Sequence, residues 1–174
     1  MKTKPFLLLC LFNLLLVGCK KNDCPGDAVK WTNGHCYEAV LAAGLSWHEA
    51  KAACEQRGGY LATITSEQEN TFVFNLVKSN NDFWYLDYLG NGLGPWLGGF
   101  QPDGSQEPDG GWEWITSEPF SYTNWETGQP DNATQFGQSV IRFIKIGGLI
   151  GDGWDDSDVN NPAEHRKGYI CEYD

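Results

Sequence analysis

The sequence of 174 residues is short of basic residues and of long apolar runs. It carries 12 Lys and Arg against 23 Asp and Glu, which gives a net charge of −11. A chain of this sign has no electrostatic attraction to phosphate backbones, so nucleic acid is not expected as a partner. No apolar run reaches the roughly 20 residues that a lasting membrane helix needs. The length fits one domain rather than two.

Motifs of several enzyme and metal-site classes are missing as well. The sequence contains no CxxC, no GxSxG and no phosphate-cradling GxxxxGK[ST]. His48-Glu49 begins like a zinc-binding HExxH helix, but Ala52 stands where the second histidine is needed. Asp156 could open an EF-hand loop, yet Lys167 occupies the position of its bidentate glutamate. We therefore expect no enzymatic activity.

The first 18 residues have the pattern of an export signal. Lys2 and Lys4 precede an apolar stretch over 6–17. The following Leu16-Val17-Gly18-Cys19 resembles the lipobox of bacterial lipoproteins, in which cleavage leaves the cysteine as an acylated N-terminus. This predicts a signal peptide over 1–18, a tether over 19–23 lipidated at Cys19, and a domain over 24–174. Ordinary secretion, with Cys19 as a spare thiol, is the alternative.

The predicted export fixes how the six cysteines are interpreted. Cys10 leaves with the signal and Cys19 takes the lipid. An even number then remains in an oxidising compartment, where disulfides are expected. The remaining four are Cys24, Cys36, Cys54 and Cys171. Four cysteines allow three pairings, and their spacing alone does not choose among them.

Two helices are predicted early in the chain, followed by strands. Ser46 with Glu49 fits a capping box, and Ser66 with Glu69 repeats it. The helices should end at Gly58 and near Ser79, respectively. Segments rich in aromatic and branched residues then predict strands over 36–40, 61–64, 96–99, 112–115, 139–146 and 168–173. The stretch 147–162 is dense in Gly, Asp and Asn and is predicted to be loop.

A series of short motifs occurs in an order known from one family. They are Trp47-x2-Ala50-x3-Cys54, Gly59-Tyr60-Leu61-Ala62, Trp96-Leu97-Gly98-Gly99, Trp112-Glu113-Trp114, Gln129-Pro130-Asp131, Trp154-Asp155-Asp156 and Tyr169-Ile170-Cys171. In this order they resemble a C-type lectin-like domain of the long form, here bacterial-type and on a lipoprotein. The resemblance implies an α+β fold of two helices, small antiparallel sheets and a long irregular ligand-binding loop region. It also implies the disulfides Cys24–Cys36 and Cys54–Cys171.

The same resemblance implies a calcium site. In calcium-dependent members, a cis-proline loop and a downstream Trp-Asn-Asp supply oxygen ligands, and Ca²⁺ takes six to eight of them. The matching positions here are Gln129, Asp131, Asp155 and Asp156. A glutamate expected before Ser139 is missing. Gln138, or else Gln135, is the candidate replacement.

The ligand implied by the resemblance is a carbohydrate or glycoconjugate. Gln129, Asp131 and Asp155 should contact it, and Phe136 is the candidate for stacking on the sugar. Gln-Pro-Asp resembles the galactose-type version of the loop motif. The similar tripeptides at 101–103 and 107–109 are interpreted as surface turns. The aromatic run 83–85 with Tyr88 is interpreted as core packing, with a second binding surface as the alternative.

Two functions remain open from the sequence. The first is calcium-dependent carbohydrate binding by an exported, membrane-anchored lipoprotein at the cell surface or in the periplasm. The second is a calcium-independent lectin-like domain that binds a protein or braces a surface assembly. A second family disulfide is missing, since Ser139 stands in the place of its first cysteine. This absence and the missing glutamate favour the second function, whereas the retained acidic residues favour the first.

Overall fold

The structure is a computed structural model that describes residues 24–134, 137–148, 151–160 and 163–174. The predicted signal, tether and lipidated Cys19 lie outside these residues, as do Gln135 and Phe136. Within the described part of the chain, no helix is both long and apolar enough to cross a membrane.

Both helices begin at the predicted capping residues. Helix α1 (Trp47–Gln56) has a complete capping box, in which the Ser46 hydroxyl accepts the Glu49 N–H and the Ser46 N–H donates to the Glu49 carboxylate at 2.7 Å. Helix α2 (Glu67–Asn75) starts at Ser66, whose hydroxyl accepts the Glu69 N–H at 3.3 Å. It ends four residues before the predicted stop at Ser79.

The strands form one mixed sheet, which corrects the expected small antiparallel sheets. Its main path runs β1-β2-β9-β5-β7-β8, and β5 pairs with β9 in parallel. Three short strands pair alongside this path, β3 with β9 and both β4 and β6 with β5. The strands are β1 Val29–Lys30, β2 Cys36–Leu41, β3 Tyr60–Leu61, β4 Tyr85–Leu86, β5 Gly92–Phe100, β6 Glu113–Trp114, β7 Val140–Lys145, β8 Trp154–Ser157 and β9 Gly168–Tyr173. The α+β class with two helices is confirmed.

Strand β8 lies inside the stretch that was predicted to be loop. Its Gly, Asp and Asn content disfavours a strand locally, but antiparallel pairing with β7 from Val140↔Ser157 to Phe143↔Trp154 decides its conformation. The predicted strands over 61–64 and 112–115 are shorter than expected, and the one over 96–99 is longer.

Both implied disulfides are present. Cys24 and Cys36 have Cα atoms 5.6 Å apart, and Cys54 and Cys171 have theirs 5.5 Å apart. The second bond joins α1 to β9 across 117 residues of sequence. In the chain-entropy account, closing a loop of this length stabilises the fold by about 4–5 kcal/mol.

The tryptophans fill the interior and anchor the strands that carry the candidate site. Trp154 is fully buried, and its indole N–H donates to the Asn70 side chain at 2.7 Å. The glycines of the Trp-Leu-Gly-Gly motif allow close packing here. A Cβ on Gly99 would lie 2.2 Å from Ile141 Cδ1. Strands β5, β7 and β8 are thereby packed closely together beneath the candidate site.

A polar network is buried beside this core. The Tyr37 hydroxyl lies within hydrogen-bond distance of two buried carboxylates, those of Glu69 and Glu172, and can donate to either. Glu172 also contacts His35, with 2.5 Å between Oε1 and the ring Nδ1. Burial raises the pKa of Glu172, while the hydrogen bond to Glu172 raises the pKa of His35. The network joins β2, α2 and β9, and none of its side chains lines the candidate site described below.

Candidate functional site

The candidate site is a cleft of about 580 Å³ between the β4–β5 hairpin and the β7–β8 pair. Of the five predicted metal ligands, Gln129, Asp131, Gln138 and Asp155 line it. The fifth, Asp156, is completely buried and does not line the cleft. The structure therefore brings four of the five predicted residues together from three separate segments.

The neighbouring residues Asp155 and Asp156 have different surroundings because successive side chains of a strand point to opposite faces. Asp156 accepts the backbone N–H groups of Asp131 at 3.0 Å and Asn132 at 2.8 Å, one on each carboxylate oxygen. Burial raises the pKa of Asp156, and these two backbone hydrogen bonds oppose the rise. Asp156 thus acts as an anchor for the loop after Pro130.

Gln138 completes the support of this loop. Its side-chain oxygen accepts the Ala133 N–H, and its side-chain nitrogen donates to the Asp156 carbonyl at 2.7 Å. Its backbone N–H donates to the Asn132 side chain at 2.9 Å. The polar atoms of Gln138 are therefore engaged in holding the loop, and its amide oxygen is not presented to an ion.

Gln129 and Asp131 flank Pro130 on the same loop. The Gln129–Pro130 peptide bond is cis, as the resemblance implies. The Glu107–Pro108 bond is cis as well, which the interpretation of that tripeptide as a surface turn did not anticipate. Gln129 Oε1 is buried and accepts no hydrogen bond, and Asp131 is exposed with Oδ1 accepting the Ala133 N–H at 3.1 Å.

Asp155 is paired with Arg142, which belongs to none of the sequence motifs. Arg142 lies directly opposite it in the β7–β8 pairing. The guanidinium reaches one carboxylate oxygen twice, with Nε at 2.8 Å and Nη2 at 2.7 Å from Oδ2. Arg142 is 7% exposed and Asp155 is 4% exposed, so both partners of the ion pair are largely removed from water.

The opposite wall of the cleft carries its apolar and aromatic side chains, together with Asp87 and Asn91. The apolar and aromatic members on the hairpin and at the end of β7 are Tyr85, Tyr88, Leu89, Leu93, Ile144 and Ile146. Tyr88 is 93% exposed, whereas Phe83 and Trp84 are buried. The interpretation of run 83–85 as core packing therefore holds for its first two rings, and Tyr88 belongs to the cleft.

The loop that carries Tyr88 is held in place by its own polar groups. Asp87 Oδ1 accepts the N–H groups of Leu89 and Asn91, both at 2.8 Å. The Asn91 side-chain oxygen in turn accepts the Gly147 N–H at 3.0 Å, which ties the hairpin to the end of β7. The aromatic wall is thus built into the fold and faces a preformed space.

These residues do not fit a calcium ion as arranged. Asp156 and Gln138 hold the loop, and Asp155 is neutralised by Arg142. Gln129 and Asp131 remain, and two side chains fall well short of the six to eight oxygens that Ca²⁺ takes. Among the described residues, no group of three or more His, Cys, Asp or Glu is arranged to hold a metal ion. The predicted calcium ligation is therefore not supported by this donor set.

Arg142 could have been noticed in the sequence. It is a charged residue in the otherwise apolar run Val140-Ile141-Arg142-Phe143-Ile144, and a charge on a buried strand requires a partner. The identity of that partner follows only from the strand register. Phe136, the predicted stacking residue, lies outside the described residues and is not placed.

The chain was also compared with known proteins. A family model described as the lectin C-type domain matches residues 43–173. The human C-type mannose receptor 2 is 35% identical over 87% of this chain, although the match spans only 9% of that receptor. Lectin BRA-3 of Megabalanus rosa is 30% identical, over 95% of this chain and 86% of that lectin.

Solved structures share the fold. The carbohydrate-recognition domain of cow CD23, solved in the presence of a GlcNAc2Man3 oligosaccharide, has a TM-score of 0.62 at 24% identity, covering 87% of this chain and 96% of that one. A Ca²⁺-dependent type II antifreeze protein in its Ca²⁺-free form has a TM-score of 0.63 at 27% identity, covering 87% of this chain and 100% of that one. A calcium-independent type II antifreeze protein has a TM-score of 0.59 at 21% identity, covering 86% of this chain and 92% of that one.

Proposed function

We propose that this chain, which belongs to the C-type lectin domain family, binds a carbohydrate in the cleft between the β4–β5 hairpin and the β7–β8 pair. The two-sided character of the cleft is the observation that carries the proposal. One wall offers oxygen acceptors and the other offers an exposed aromatic ring. A sugar has the matching chemistry, since its hydroxyls donate hydrogen bonds and its C–H face packs on aromatic rings.

The polar contacts are assigned to Gln129 and Asp131, since the Asp155 carboxylate is engaged by Arg142. Gln129 Oε1 is already buried without a donor, and an unsatisfied buried acceptor costs about 1–3 kcal/mol. Because Gln129 lines the cleft, a turn of its side chain that brings Oε1 to a sugar hydroxyl would recover this cost, so Gln129 favours the bound state. On the opposite wall, we assign the stacking on the sugar ring to Tyr88, which lines the cleft; the sequence had suggested Phe136 for this role.

The charge of the cleft narrows the ligand class. Among the described residues, four aspartates line it against a single arginine, and that arginine is paired with Asp155. An acidic sugar would be repelled, so we propose neutral sugars or amino sugars. A galactose-type preference, predicted from Gln129-Pro130-Asp131, stays a prediction within this class. The contacts are direct, because the donor set does not fit calcium, and we propose no catalytic role.

A glycan array probed with the purified protein, followed by titration with the best neutral glycan, tests this function. Asp131→Ala and Tyr88→Ala should each weaken binding at least about tenfold, the equivalent of one lost polar or stacking contact. Asp103→Ala is the matched control, because it changes the same residue type in the similar tripeptide 101–103, which does not line the cleft. An array without any neutral glycan bound would refute the proposal.

Protein binding is a second candidate, favoured by one observation. Leu86, Tyr88 and Leu89 are 67%, 93% and 64% exposed on one short hairpin, and a cluster of exposed apolar side chains is typical of interaction surfaces. Leu86 does not line the cleft. Leu86→Glu should therefore weaken a protein partner and leave glycan binding unchanged, which separates the two functions.

We further propose that the domain acts outside the cytoplasm as a lipid-anchored protein. The support is the sequence pattern of residues 1–19 and the two disulfides, which persist in oxidising compartments. Mass spectrometry of the mature N-terminus should find an acylated Cys19, and Cys19→Ala should release the protein from the membrane fraction. An intact residue 1–18 segment in the mature protein would contradict this.

A further inference from the structure

Arg142 is an unusual residue for its position. It lies in the middle of β7, and its strand neighbours Ile141 and Phe143 are fully buried. Placing a charge there is costly unless a partner neutralises it. The register supplies Asp155 as that partner, and the two bonds of 2.7 and 2.8 Å satisfy the electrostatic need. Arg142 is therefore part of the site and not a solvated surface residue.

The pair lies at the polar wall of the cleft, which Gln129 and Asp131 also line. Asp155, Gln129 and Asp131 are residues that the family resemblance assigns to a divalent ion. A buried carboxylate such as that of Asp155 needs a cation close to it, and two kinds of cation can supply the charge. A bound metal ion is one, and a basic side chain fixed in the fold is the other.

We infer that the Arg142 guanidinium replaces a bound metal ion as the cation of this site, so that the cleft takes its ligand without calcium. Arginine suits this role because its charge is permanent and its planar fork reaches a carboxylate through two N–H groups. The guanidinium would also repel a divalent ion close to Asp155. Calcium exclusion does not depend on the identity of the ligand. The expected EDTA-insensitive sugar binding, by contrast, rests on the proposed function.

The decisive measurement is the melting temperature of the full-length protein, purified in mild detergent, in EDTA and in 10 mM CaCl2, with 10 mM MgCl2 as the ionic control. The melting temperature of the wild type should change by less than about 1 °C. A protein that binds calcium, at a concentration 100 times its Kd, would instead melt several degrees higher. A calcium-specific rise of several degrees in the wild type would overturn the inference.

Variants at position 142 test whether the arginine is the cause. Arg142→Met removes the charge and leaves Asp155 buried without its partner, so its melting temperature should fall and then rise again with CaCl2. Arg142→Lys keeps a cation and should stay insensitive to calcium. If Arg142→Met folds and ignores calcium, the arginine is not what excludes the ion and the inference fails. The double variant Arg142→Met with Asp155→Leu removes both charges and should be calcium-insensitive.

Two complications are covered by the design. If Arg142→Met does not fold, the wild-type and Arg142→Lys measurements still decide between exclusion and binding of calcium. If no glycan binds in any buffer, the proposed carbohydrate function fails while the calcium result stands. If a neutral glycan binds, equal affinity in EDTA and in CaCl2 supports the inference, and a loss of binding in EDTA overturns it.

Discussion

Replacing Asp156 with alanine should destabilise the domain and release the loop after Pro130, and calcium should have no part in either effect. Both carboxylate oxygens accept backbone N–H groups, from Asp131 and Asn132, in a fully buried position. The substitution leaves these donors without their acceptor. The family pattern would instead assign Asp156 to an ion, so the two roles predict different behaviour.

The magnitude follows from the two charge-assisted hydrogen bonds. Each contributes about 1.5–3 kcal/mol, and the cost of burying the carboxylate offsets part of the sum, so we expect a loss of about 3 kcal/mol. For a domain of this size, each kcal/mol corresponds to roughly 2–4 °C. Asp156→Ala should therefore melt at least about 6 °C below the wild type. Asp103→Ala, an exposed aspartate in the similar tripeptide, should stay within about 0.5 kcal/mol of it.

The assay is calorimetry of both variants and the wild type, each in EDTA and in CaCl2. A loop anchor predicts the same deficit for Asp156→Ala in both buffers. If the deficit appears only with calcium and disappears in EDTA, Asp156 is an ion ligand and our assignment is refuted. An Asp156→Ala protein that melts with the wild type in both buffers would also refute the reasoning from the hydrogen bonds.

Two further predictions concern stability away from the cleft. The hydrogen bond to Glu172 raises the pKa of His35. Protonated His35 therefore stabilises the fold fully below the ordinary histidine pKa of about 6.5, and the contribution is lost as pH rises through the higher folded value. The melting temperature of wild type minus that of His35→Gln should accordingly be largest near pH 5.5 and shrink toward pH 9; an unchanged difference would contradict this. Replacing both Cys54 and Cys171 with alanine should cost about 4–5 kcal/mol in denaturant titrations without reductant, and a loss below about 1 kcal/mol would refute the loop-closure account.

Much of the fold was predictable from local signals and from the family resemblance. Ser46 and Ser66 start their helices because their hydroxyls accept early backbone N–H groups, a requirement that is local and visible in the sequence. The pairing Cys54–Cys171 came from the resemblance, since 117 residues of spacing carry no local information. The candidate site was likewise chosen through the resemblance, from the tripeptide at 129–131, and its role stays a prediction.

What could not be predicted depended on tertiary pairing. Strand β8 was predicted to be loop because Gly, Asp and Asn dominate the stretch 147–162, and it is the pairing with β7 across from it that makes the segment extended. Tyr88 and Trp84 belong to the same aromatic run, yet one is 93% exposed and the other is buried. Nothing in the run itself distinguishes them, because the difference arises from the hairpin turn at 87–91.

The adjacent residues Asp155 and Asp156 show why a motif of ligand-type residues does not establish a ligand site. On a strand, consecutive side chains necessarily face different environments, so each carboxylate must be judged by what lies opposite it. Asp156 accepts hydrogen bonds from two backbone N–H groups, and Asp155 forms an ion pair with Arg142. The acidic pair is therefore fully accounted for by the fold, and the groups left to meet a ligand are Gln129, Asp131 and the ring of Tyr88. That set suits hydroxyl groups and an apolar sugar face, which is why we assign the cleft to a carbohydrate and not to an ion.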